Sequence, residues 1–142
     1  MRRRSSCLNR SSTKRCALIL IAVLYSRNGV RITLSTGMNG RAIAYSGSRV
    51  QYQDGSQSSI NFHSRPDAAG CFPSDTGGFY YSSNSESNSG GVGVLEFDAD
   101  GNVIDYYRTL TGTDWNCGGG KTPWGTWISC EENDSSGRKD QA

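Results

Sequence analysis

No stretch of this chain sustains the apolar period of an amphipathic helix, and glycine or serine interrupts almost every apolar run. A helix without an apolar stripe has nothing to bury, so a helical bundle is excluded. The 18 glycines and many serines stand beside 3 Trp, 7 Tyr and 4 Phe, a mixture that favours short strands joined by tight turns. A length of 142 residues suits one domain. The predicted fold class is all-β.

Strand patterns become clear from Pro66 onward. GGFYYSSN (Gly77 to Asn84) and VGVLEF (Val92 to Phe97) are predicted strands, separated by a loop at SNSGG (Ser87 to Gly91). Val92, Val94, Leu95 and Phe97 cannot all face one way, so both faces of their sheet should be covered. DADGN (Asp98 to Asn102) is a turn leading into VIDYYR (Val103 to Arg108). After a further loop, WGTWISCEE is a last strand with Trp124, Thr126 and Ile128 on one side. Residues 66–132 are therefore expected to form antiparallel strands. Residues 28–65 hold only short alternations such as RITL and RAIAY and are expected to be a weakly structured leader that packs poorly.

The first segment reads as an address. The basic run MRRRSSCLNRSSTKR is followed by the uncharged CALILIAVLY, too short to span a bilayer and suited to the core of a secretory signal peptide over residues 1–27. A secreted, cell-surface or periplasmic-type location follows, with Asn133 as a glycosylation sequon should the chain enter a secretory lumen. The formal net charge is +2, with much of the excess in that leader. No basic stripe with interleaved aromatics lies beyond it, which argues against nucleic-acid binding. A monomer is expected. Five cysteines cannot all pair within the chain.

Four motifs invite chemistry. GGGKT (Gly118 to Thr122) resembles the end of a phosphate-binding loop, but the position five before Gly120 is Trp115. Pro123 and Gly125 also oppose the helix that such a loop must start. Asp98, Asp100 and Asn102 alternate like calcium ligands, yet the positions needing Gly and Glu hold Val103 and Thr109, so a hairpin turn is the better account. His63 is the single histidine, which excludes multi-histidine metal sites, and an exposed loop position is expected for it. Cys117, Cys130, Glu131 and Glu132 could offer a thiolate and hard oxygens to a metal. By spacing alone the two cysteines are as well explained as disulfide partners or small buried hydrophobes.

NCGGGKTPWGTWISCEE, Asn116 to Glu132, resembles the signature of the PhoX-type alkaline phosphatases, an Asn-Cys-x-Gly-Gly-x-Thr-Pro-Trp-Gly-Thr-Trp run ending in a Glu pair. A looser similarity takes in PDAAGCF, Asn84–Ser85–Glu86 and GGVGVLEFDADGNVIDYY, so that it covers roughly Pro66 to Glu132. The family typically has Asn-His-Glu where this chain has Asn84–Ser85–Glu86. The resemblance implies a β-propeller with iron and calcium in its central channel and hydrolysis of phosphomonoesters. It makes Cys117 an iron ligand and places Glu131 and Glu132 among the metal-binding carboxylates, with Glu86 as a further candidate. It gives the glycine run the task of letting the Cys117 thiolate reach the cluster, and leaves Cys71 and Cys130 structural, buried or bonded. A blade takes roughly 40 to 50 residues and at least four close a ring. The chain therefore has room for about one to two blades, and residues 66–142 are expected to be the N-terminal portion of a longer, PhoX-like propeller, inactive by themselves. The alternative is a propeller-derived binding module without catalysis, or a truncated product without function.

Overall fold

The computed structural model describes residues 34–132. The segment expected as a signal peptide, the sequon at Asn133, Cys7 and Cys16 lie outside the described residues. Within them there is no helix, and so none long and apolar enough to cross a membrane.

Eight strands form three antiparallel sheets. A short pair comes first, β1 (Arg49–Gln51) with β2 (Gln57–Asn61). Then β3 (Pro66–Pro73), β4 (Phe79–Ser85), β5 (Val92–Phe97) and β6 (Val103–Leu110) pair in sequence order as a four-stranded meander. A hairpin of β7 (Asn116–Lys121) and β8 (Trp127–Glu131) ends the described chain. None of the sheets closes on itself among the described residues. A four-stranded antiparallel meander flanked by further hairpins is the arrangement a propeller blade uses, so the all-β expectation holds and the architecture fits part of a propeller.

The meander buries both faces, as the run VGVLEF requires. Register aligns Tyr81, Leu95 and Tyr106 across three strands, and Phe79, Phe97 and Val103 likewise. On this face Leu95, Phe97, Val103 and Tyr106 pack against Ala44, Val50 and Phe62, and Phe79 stacks on Phe97 at 4.4 Å between centroids. On the opposite face the aligned Gly70, Ser82 and Val94 are neighbours of Asn84 and Val92, and β7–β8 lies over them. The meander is thus sandwiched between the β1–β2 pair and the β7–β8 hairpin.

Two expectations need correction here. Packing begins well before Pro66: Ala44, Val50 and Phe62 are 3%, 1% and 1% exposed, so this part of the expected weak leader completes the core. The alternation was too short to be visible as strands because β1 spans only three residues. NCGGGK, taken as loop, is strand β7, since its glycines pair through the backbone with β8 and need no side chains to do so. The turn at DADGN is as expected: the Asp98 carboxylate accepts from the backbone of Asp100 and Asn102, and Gly101 takes φ of 80°.

His63 is also not an exposed loop residue. It is 4% exposed, immediately after Phe62, and held on both ring nitrogens. The Tyr106 hydroxyl accepts the His63 backbone N–H and lies 3.1 Å from Nδ1. Nε2 lies 3.0 Å from Ser83 Oγ, so each ring nitrogen has a hydroxyl partner. Gly93 makes room for this ring, because a Cβ there would fall 2.4 Å from Nδ1.

Candidate metal centre

The site is built where β3 begins, β4 ends and β7 begins. Side chains alternate along β4, so Ser83 and Ser85 point toward the His63 face while Asn84 and Glu86 share the opposite one. Ser85, where the resembling family has histidine, therefore turns away from Cys117; its hydroxyl donates to Ser64 O at 2.9 Å. Asn84, fully buried, faces β7 and clamps it. Its Nδ2 donates to the carbonyls of Cys117 and Gly118 at 3.1 and 2.7 Å, and its Oδ1 accepts the Trp127 indole N–H at 2.9 Å. Asn116 fixes the same strand from the other side, accepting from Gly91 N and Thr113 Oγ1 and donating to Ser129 Oγ.

Held in this way, Cys117 meets two carboxylates. Asp67, Glu86 and Cys117 each present a ligand atom, and these atoms lie within 4.8 Å of one another. Asp67 hydrogen-bonds the thiol, and its charge with those of Glu132 and Glu86 pushes the Cys117 thiol up to about 11. With no cation the thiol stays protonated at neutral pH; a bound metal reverses that preference by favouring the thiolate.

Of the residues expected from the sequence, Glu86 and Cys117 come together and Glu132 is close enough to act on the thiol. Glu131 is not in that group. Its Oε1 accepts the Asp114 backbone N–H, and it lines a separate open pocket with Arg108, Asn88 and Thr113. Adjacent residues at a strand end face opposite ways, which splits the pair. Asp67 was missed. It lies in PDAAGCF, and an aspartate at the start of a strand, where β propensity disfavours it, was the available signal.

The other cysteines differ from expectation as well. Cys71 and Cys130 are exposed, and neither is bonded to the other or to Cys117. The glycine run also has a packing task. Nothing lies within 4 Å of a Cβ built on Gly118 or Gly120, whereas one on Gly119 would fall 2.5 Å from the Trp127 ring and 2.6 Å from Ile128 O. The close approach is to Trp127, whose ring also covers Gly70. Lys121 ends the run on a strand, donates to Cys71 O and sits 4.8 Å from the Phe72 ring centroid; no phosphate-binding loop exists here.

One lip of the site carries unusual backbone. Among the described residues, Arg65 and Trp115 are the two non-glycine residues with positive φ, 46° and 48°. Their side chains stack, the guanidinium carbon 4.8 Å from the ring centroid, and Arg65 Nη2 lies 3.6 Å from Glu86 Oε2.

No curated protein and no solved structure matches this chain. Residues 88–141, which contain Cys117 and Glu132, match the family model described as alkaline phosphatase PhoX.

Proposed function

We propose that this chain provides metal ligands for a phosphomonoester hydrolase, with Cys117, Glu86 and Asp67 holding iron and Glu132 serving calcium. The observation that carries the reading is the convergence of one thiol and two carboxylates from β3, the end of β4 and β7, positions far apart in sequence. The donor set suits the ions. A thiolate beside carboxylates matches iron, whereas calcium takes only oxygens, which Glu132 and its neighbours offer. A full calcium shell needs about six to eight oxygens. The carboxylates gathered here supply part of one.

Bound cations would polarise phosphoryl oxygens and offset charge developing on the leaving oxygen. The chain's own residues do the positioning. Asn84 fixes the Cys117 and Gly118 carbonyls and therefore the direction of the thiol. Asn116 and Trp127 keep β7 against the meander. Asp67 accepts the hydrogen bond of the Cys117 thiol, and the proton that a cation would displace from that thiol passes to solvent.

The test counts iron in the purified chain after anaerobic loading. The wild type should retain iron at about one ion per chain, whereas Cys117→Ser and Asp67→Asn should lose roughly tenfold or more in affinity. Turnover of a simple aryl phosphomonoester by loaded protein tests the catalytic half. Equal iron content in wild type and Cys117→Ser would remove the metal reading, and an iron-loaded protein that leaves the ester intact would confine it to metal binding.

A further inference from the structure

We propose that Arg65, seated on Trp115, is the residue that receives the anionic oxygens of the substrate beside the metal ligands. The inference rests on the metal reading above and adds a substrate contact to it.

Four arginines lie among the described residues, and three are engaged with the protein's own carbonyls. Arg41 donates to Gly101 O, Arg49 to Ser58 O and Arg108 to Gly90 O. Arg65 donates to none of them. Its ion contact with Glu86, at 3.6 Å, is longer than a hydrogen bond, and its side chain is 48% exposed. The guanidinium is held in place yet, among the described residues, donates no hydrogen bond.

It is held at a cost in backbone conformation. Arginine and tryptophan have no intrinsic preference for positive φ, and such residues persist only where the surroundings over-determine them, commonly at ligand sites. Here each is pinned through its backbone to a site residue. Arg65 O accepts from Glu86 N at 2.9 Å, while Trp115 O accepts from Glu132 N at 3.0 Å and Trp115 N donates to Ser87 O at 2.8 Å. The two strained residues therefore bracket the carboxylates and stack on each other above them.

The charge pattern selects the ligand class. Asp67, Glu86, Glu132 and Cys117 are acidic or neutral, so without a cation the place repels anions. Once a cation takes the charge of Glu86, the guanidinium loses its ion partner but not its aromatic platform. A planar fork of N–H donors would then be left beside the ligand group, and such a fork matches two oxygens of one tetrahedral oxyanion. Lysine could supply the charge but not the fork.

The experiment is a calorimetric titration of inorganic phosphate into the iron-loaded chain, with iron counted in every sample. Arg65→Gly removes the guanidinium and suits the positive φ, so the fold is kept; Arg65→Lys keeps the charge. Expected results are iron content unchanged in both, phosphate binding weaker by roughly tenfold or more in Arg65→Gly, and a smaller loss in Arg65→Lys. Phosphate affinity within about twofold of wild type in Arg65→Gly, at equal iron content, overturns the proposal. A wild type that holds iron but binds no phosphate overturns it too while the metal reading stands. A wild type that holds no iron removes the metal reading, and this proposal falls with it.

Discussion

Asn84 is not among the candidate ligands, yet it holds the strand that carries Cys117. Its amide is buried and satisfied on three counts, giving two N–H donors to β7 carbonyls and taking the Trp127 indole N–H. Asn84→Leu keeps the volume but removes the partner of two carbonyls and an indole donor, which are half-buried or exposed and partly turn to water instead. A fully unsatisfied group costs about 1–3 kcal/mol, so with that compensation a loss of roughly 2–4 kcal/mol is expected, read as a lower urea midpoint with unchanged slope. Cys117 would shift with its strand, and iron affinity should fall even though Asn84 is no ligand. Cys117 and Glu86 were named from the sequence through their resemblance to a family pattern, and the structure brings the two together. Asp67 and Arg65 were not, because what marks them is a neighbour in space. The Glu131–Glu132 pair misled for a local reason: strand geometry turns adjacent side chains to opposite faces.

The β7–β8 hairpin shows how glycines can make a strand unrecognisable. NCGGGK has no alternation and the weakest of β propensities, yet it pairs with β8 from Asn116↔Glu131 to Lys121↔Trp127. Its signal lies in the partner: the bulky residue is Trp127, and the glycines are the space it fills. That makes a contrast within one strand. Gly119→Ala would drive a Cβ into the Trp127 ring and into Ile128 O, a backbone atom that cannot swing aside, so destabilisation of about 1–3 kcal/mol is expected. Gly118→Ala, with nothing within 4 Å, should change stability by less than about 0.5 kcal/mol. Chemical denaturation of both variants is the check. Equal effects would mean that the glycine run serves backbone conformation and not the approach of the indole. The strands with side-chain signal, β5 and β6, were readable almost to their ends, since their apolar residues declare the faces that they bury.

At the scale of the molecule, the meander's two faces have different partners and different chemistry. One face meets β7–β8 and carries the candidate ligand group; the other meets residues 44–63 through an apolar cluster with one polar inclusion, His63. That inclusion ties the β1–β2 side to β4 through Ser83 and to β6 through Tyr106. Composition could not reveal it, because a lone histidine carries no periodic signal and its burial depends on a contact 43 residues away. Its protonation should therefore report on docking of the whole molecule. Burial, and then the positive charge of Arg108, lower the His63 pKa from 6.5 to about 4. Between those values the unfolded chain binds a proton that the folded chain refuses, so stability falls as pH falls. The contribution is fully present above the unfolded value near 6.5 and is lost progressively as pH falls through about 4. A depression of that size corresponds to about 3 kcal/mol. Urea midpoints measured from pH 7 down to pH 4.5 should decline in the wild type and stay flatter in His63→Gln, whose amide can still bond Ser83 or Tyr106 without titrating. The hydrogen-bonded carboxylates of Asp54 and Asp98, both held below the usual value of 3.8, lose their contribution only at lower pH and are common to both proteins. Parallel curves for the two proteins over that range would show that His63 is protonated without undocking the β1–β2 side.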